Sequence, residues 1–173
     1  MKKFSMKNLT FITLIIALLG IQGCGIYSFT GTNISPDVKT VQIDYFLNNA
    51  LLVEPSLSQT FTEQFRDLFD TQTNLTSVNS GGDLQFEGEI TGYKINPMTA
   101  TAEQTAAQNR LTITINVRFF NNKLEEDNFE KTFSHYYDFD GNSQLVGGLL
   151  DDAFDEIIER IAQDIFNASV AKW

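Results

Sequence analysis

The chain has 173 residues, 42% of them hydrophobic and 15 of them Phe, with a net charge of −10. That length and apolar content suit one domain with its own core. The acidic balance argues against nucleic acid and against broad attraction to anionic lipid, and a single cysteine cannot form an internal disulfide.

Residues 1–23 read as a lipoprotein signal peptide. Lys2, Lys3 and Lys7 supply a positive start. Leu9 to Leu19 is an apolar run broken only by Thr10 and Thr13, short of the roughly 20 residues a spanning helix needs. Ile21-Gln22-Gly23-Cys24 closes it as a lipobox, although Gln22 is a less usual neighbour. Cys24 then becomes the first mature residue and carries diacylglycerol and an N-acyl chain, the only groups of cofactor type expected. A plain secretory signal or a simple N-terminal anchor is the less favoured alternative. Gly25-Ile26-Tyr27-Ser28 has no acidic run, which by analogy with bacterial sorting signals sends the protein to the periplasmic leaflet of an outer membrane. The mature part holds nine basic and 22 acidic residues, so a lipid anchor is its means of staying there.

Residues 24–37 form an acylated linker, with Tyr27 and Phe29 either docked back or exposed. Residues 38–173 form a single α/β domain. Val41, Ile43 and Tyr45 alternate with Gln42 and Asp44, the period of a half-buried strand. Asn48-Asn49 breaks it. Ser56 with Gln59 suggests a capping box. Leu57, Phe61, Phe65, Leu68 and Phe69 then mark one face of a helix. Leu75 to Val78 is a short strand or the helix exit, and Gly81-Gly82 is a turn. Leu84, Phe86 and Ile90 define a strand whose phase slips at a bulge around Gly92, before Tyr93 and Ile95. Asn96 to Asn109 is a long polar hairpin loop or a pair of strand extensions, and a candidate contact region. Leu111, Ile113, Ile115, Val117 and Phe119 alternate with polar residues in the clearest strand. Asn121 to Asn128 is a turn, and Phe129, Phe133, Tyr137 and Phe139 mark the last strand. Phe154, Ile157, Ile158, Ile161, Ile165 and Phe166 line a closing helix over Leu149 to Ala171. Acids crowd its first turns, as the helix dipole favours.

These elements predict an α+β fold. It is a two-layer α/β sandwich, with two helices on one face of a mostly antiparallel, four- or five-stranded mixed sheet. The crossover through the first helix makes at least one strand pair parallel.

No catalytic set is evident. His135 shares parity with Phe133 and Tyr137, as a core or edge histidine would. Glu87 and Glu89 lie on one side of a strand, where solvent-facing positions account for them. Glu125-Glu126-Asp127 lacks the spaced ligands of a calcium loop, so no metal is expected. Thr112, Thr114, Asn116 and Arg118 share a polar sheet face with Thr132, Ser134, Glu87 and Glu89. That face is either wet or set against the polar interior of a larger protein.

The chain resembles the lipopolysaccharide-assembly lipoprotein family LptE, in its Bacteroidetes form. The likeness rests on Cys24-Gly25-Ile26-Tyr27-Ser28-Phe29-Thr30-Gly31, the Val41-Gln42-Ile43 strand with the Leu57 to Phe69 helix, the Leu84 to Tyr93 and Arg110 to Phe119 strands, and the closing helix. The resemblance implies a non-enzymatic protein that plugs the outer-membrane β-barrel LptD, assists its assembly and contacts lipopolysaccharide. It implies lipid contact through basic residues near loops. Here the basic residues near strand or loop ends are Arg110, Arg118, Lys94 and Lys131. The acidic balance makes direct lipopolysaccharide binding the weaker implication. The alternative is a periplasmic lipoprotein that binds a small apolar ligand between sheet and helices, or another envelope protein.

Overall fold

The computed structural model describes residues 34–52, 54–98 and 107–171. Cys24 and the linker ahead of residue 34 lie outside the described residues. The elements are β1 (Thr40–Ile43), β2 (Leu47–Asn48), α1 (Leu57–Gln72), β3 (Thr76–Ser77), β4 (Leu84–Met98), β5 (Gln108–Asn121), β6 (Phe129–Asp140) and α2 (Gly148–Ser169). A 3₁₀ turn at Glu125–Asp127 precedes β6.

The sheet runs β3-β1-β4-β5-β6, with β2 also paired to β4. β1 is parallel to both β3 and β4, because α1 carries the chain back across the sheet before the next strand begins. β4, β5 and β6 are antiparallel neighbours. The sheet is thus six-stranded rather than four- or five-stranded. β2 is the strand that the sequence hides, since it is two residues long and contains Asn48 of the supposed break.

Leu57, Phe61, Phe65 and Phe69 of α1 are fully buried, as are Ile157, Ile158, Ile161 and Ile165 of α2. They pack with the inward row of β5, from Leu111 to Phe119, in one core. Phe65 sits at the centre of an aromatic chain. Its ring centroid is 5.6 Å from Phe61, 5.3 Å from Phe69 and 5.2 Å from Phe86. The Phe61 ring is stacked on Phe65 and the other two meet it edge to face, and pairs of either kind add about 0.5–1.5 kcal/mol beyond buried area.

The strand period of β1 fails after Ile43. Tyr45 is 51% exposed and Phe46 is fully buried, the reverse of the expected alternation. The cause lies across the sheet. Gly88 occupies an inward position of β4, and Phe46 fills the space that its missing side chain leaves. A Cβ there would stand 2.5 Å from Phe46 Cε1 and 2.2 Å from the Asn116 carbonyl oxygen. Two side chains of α1 satisfy the backbone where β1 departs. Thr62 Oγ1 accepts from Phe46 N at 3.2 Å. Arg66 donates to the Ile43 carbonyl through Nη2 at 2.6 Å and Nε at 3.2 Å.

The capping box is absent. Ser56 is helical and makes no side-chain cap bond. Its Oγ instead donates to Glu54 Oε1 at 3.1 Å, and Gln59 Nε2 donates to Glu63 Oε1 at 2.9 Å. The bulge in β4 falls between Ile90 and Gly92, so Thr91 is the extra residue. Beyond it β4 and β5 stay paired to Met98 and Gln108. The ends of the expected 96–109 loop are therefore strand extensions, and residues 99–106 lie outside the described residues.

At the other end of the sheet, Asp83 joins three elements. Its Oδ2 accepts from Lys39 N at 2.8 Å, Thr40 N at 3.1 Å and Thr40 Oγ1 at 3.0 Å. Its Oδ1 lies 3.0 Å from Lys123 Nζ. The Lys39 amide, then Lys123 and Thr40, hold its carboxyl far below the usual carboxylate range.

Candidate functional site on the open face of the sheet

Both helices cover the face that bears Leu111, Ile113 and Ile115. The outward residues of β4, β5 and β6 pair in register on the opposite face. Glu87 lies opposite Arg118, Glu89 opposite Asn116, and Lys94 opposite Thr112. Arg118 faces Glu130, Asn116 faces Thr132, Thr114 faces Ser134, Thr112 faces Tyr136 and Arg110 faces Asp138. Strand alternation alone makes this surface polar, because every buried residue of β5 places its neighbour here.

Its charges are largely satisfied within the face. Arg110 grips Asp138 with two bonds, Nε to Oδ1 at 2.6 Å and Nη2 to Oδ2 at 2.7 Å. Its guanidinium also lies 3.6 Å from the centroid of the Tyr136 ring. The bond to Asp138 raises the Arg110 pKa further, and the bond to Arg110 holds Asp138 below its ordinary value. Arg118 sits between two carboxylates, 3.7 Å from Glu87 and 3.8 Å from Glu89. Between these ends the contacts are hydrogen bonds rather than ion pairs. Thr114 and Ser134 share a 3.0 Å bond, and Asn116 Nδ2 donates to Glu130 Oε1 at 2.8 Å.

The four basic candidates therefore do not form one cluster. Lys94 and Arg110 are two rungs apart near the 99–106 connection. Arg118 is eight residues further along β5, about 27 Å at strand spacing. Lys131 pairs with Val117 and so belongs to the helix-bearing face, where its Nζ lies 5.0 Å from the Phe133 ring centroid. Lys94 makes no ion pair among the described residues. Tyr136 and Asp138 were not singled out from the sequence. Their parity opposite Phe133, Tyr137 and Phe139 was the available signal, but their partnership with Arg110 required the β5–β6 register.

His135 sits on the helix side at the sheet edge, its Nε2 2.7 Å from Asp164 Oδ2 of α2. Glu159, Arg160 and Gln163 surround this open recess. Among the described residues no group of three His, Cys, Asp or Glu side chains could hold a metal ion. A cavity of about 190 Å³ lies where the N-terminal segment passes α2, lined by Ile34, Val38, Leu84, Leu124 and Val170 among others. It is smaller than the roughly 300–1,000 Å³ of an ordinary ligand pocket.

No curated protein matches the chain. Among solved structures it is similar to protein CT253 from Chlamydia trachomatis, with a TM-score of 0.54 and 8% identity, covering 78% of this chain and 99% of that one. That likeness concerns the fold alone. Weaker matches include a minor lipoprotein from Acinetobacter baumannii, with a TM-score of 0.46 and 10% identity over 79% of this chain and 98% of that one. Another is the rare lipoprotein B from Shewanella oneidensis, with a TM-score of 0.37 and 11% identity over 73% and 89%. The family model described as "LptE: Lipopolysaccharide-assembly" matches residues 38–169. This spans every strand and both helices, and the chain belongs to the LptE lipopolysaccharide-assembly family.

Proposed function

We propose that this chain is an outer-membrane lipoprotein, acylated at Cys24, that plugs the LptD β-barrel and assists its assembly in lipopolysaccharide transport. Residues 1–23 serve as the signal, 24–37 as the tether and 38–173 as the plug domain, facing the periplasm or the barrel lumen. The observation that carries this reading is the helix-free face, whose Thr, Asn and paired ionic side chains suit the polar interior of a barrel. Family membership supports it. No helix among the described residues is long and apolar enough to cross a membrane. In this reading the acyl chains on Cys24 attach the domain, and two lipid signals suffice for stable anchoring.

The role is one of shape and contact rather than catalysis. Where lipopolysaccharide is touched, Lys94 is the strongest of the basic candidates, because Arg110 and Arg118 already face carboxylates. A small apolar ligand between sheet and helices would have to separate rings such as Phe46 and Phe61, whose centroids are 5.0 Å apart. The test is affinity purification of the tagged, acylated protein from detergent-solubilised outer membranes. Recovery of the barrel in stoichiometric amount is the expected result, and recovery without any barrel would overturn the proposal.

A further inference from the structure

The connection from β1 to α1 carries an apolar load that the core does not use. Tyr45, Leu47, Leu51 and Leu52 are 51%, 60%, 99% and 59% exposed. The loop that bears them is built rather than slack. Asn48 Oδ1 accepts from Ala50 N at 3.1 Å, and Asn48 Nδ2 donates to the Glu54 carbonyl at 3.3 Å. Asn49 N donates to the Ile90 carbonyl at 2.9 Å, and Ala50 is buried. One amide side chain thus closes the base of the loop, and Leu51 and Leu52 are held beyond it.

We propose that Leu51 and Leu52 insert into the surface of a zwitterionic phospholipid monolayer, as a second membrane contact beside the lipid anchor. The proposal rests on the acylation of Cys24 argued above. Three observations favour lipid as the occupant. Leu51 is almost free of protein neighbours, and a monolayer receives a protruding side chain without a matching pocket. No Lys or Arg occurs between Lys39 and Arg66, while Asp44 and Glu54 flank the loop, so anionic headgroups would be repelled.

The tether also reaches. Nine residues separate Cys24 from Ile34, and the ten backbone steps span at most about 35 Å. The loop stands one length of α1, 16 residues or about 24 Å, from the level where Thr76 N meets the Lys39 carbonyl, beside the departing N-terminal segment. A second copy of the chain is a poorer occupant. A stable protein interface needs about 800 Å² from each partner, more than two leucines and their neighbours supply.

The test uses the full acylated protein. In a Leu51→Cys variant the new thiol is the reactive one, since Cys24 is blocked by lipid. It is labelled with an environment-sensitive dye and reconstituted into phosphatidylethanolamine–phosphatidylcholine vesicles that contain brominated acyl chains. Loss of emission at position 51, with no loss from a dye at Glu125→Cys, is expected, and Leu52→Asp should restore the emission. Undiminished emission from protein that still floats with the vesicles would overturn the second contact and leave the anchor intact. Protein that fails to float would overturn the anchor and the second contact together. Shielding of the dye only when the barrel is present, without quenching by the brominated chains, would assign the loop to a protein partner and overturn the proposal.

Discussion

Gly88→Ala is the smallest change that tests how β1, β4 and α1 are locked together. The added Cβ would lie 2.2 Å from the Asn116 carbonyl oxygen and 2.5 Å from Phe46 Cε1. Ordinary carbon contacts begin near 3.5 Å, so at least one neighbour must move by about an ångström. The Phe46 ring is fully buried and stands 5.0 Å from Phe61 and 6.2 Å from Phe65, centroid to centroid. The Asn116 carbonyl belongs to β5, which is paired along both sides. Neither neighbour has room to yield. Overpacking of this kind costs about 1–3 kcal/mol, and a backbone partner places Gly88→Ala near the upper end. Phe46→Ala alone should cost about 3–5 kcal/mol. The double variant removes one of the two clashes, so it should fall short of the sum by roughly 1 kcal/mol. Urea unfolding followed by far-UV circular dichroism, on a soluble chain beginning at Gly25, measures all three. A Gly88→Ala midpoint equal to wild type, or strict additivity with Phe46→Ala, would refute the proposed packing.

Cys24→Ala should move the protein from the membrane to the soluble periplasmic fraction with its circular dichroism spectrum unchanged; loss of folded protein would contradict a separable tether. Thr62→Val leaves the buried Phe46 N–H without its acceptor, and the urea midpoint should drop by about 1–3 kcal/mol in stability; no drop would mean that the bond contributes nothing. Asp83 and Asp138 have lowered pKa values in the folded state, so the unfolded chain binds more protons as the pH falls below about 4. Stability should therefore be level from neutral pH to about 5 and decline below that range. Asp83→Asn should flatten the decline, and an unchanged slope would contradict the role given to this carboxylate. Lys94→Glu should weaken lipopolysaccharide capture more than Arg118→Glu does, as measured by photo-cross-linking; equal losses would remove Lys94 from its favoured position.

Period carried most of the fold. The stripe of Leu57, Phe61, Phe65 and Phe69 and the alternation from Leu111 to Phe119 each point to one burial surface, and both elements fold accordingly. Two of the failures share a physical cause, which is that the deciding partner is remote in sequence. Phe46 replaces Tyr45 in the core because of a glycine 42 positions away, and no local period records that. Ser56 with Gln59 matched a capping pattern, but Ser56 takes helical backbone angles rather than those of an N-cap, and its side chain makes no cap bond. The open face was legible from parity, and so was the placement of Lys131 opposite it, beside Phe133. The neutralisation of Arg110 by Asp138 was not, because it depends on which residues of β5 and β6 come into register.

The most direct test is photo-cross-linking in intact cells from an unnatural residue at Thr114 in the centre of the open face, with Gln163 on α2 as reference. Adducts with the LptD barrel from Thr114 are the expected outcome. A mature, acylated protein that yields no barrel adduct from Thr114, while the barrel is correctly assembled in the same cells, would contradict the plug assignment.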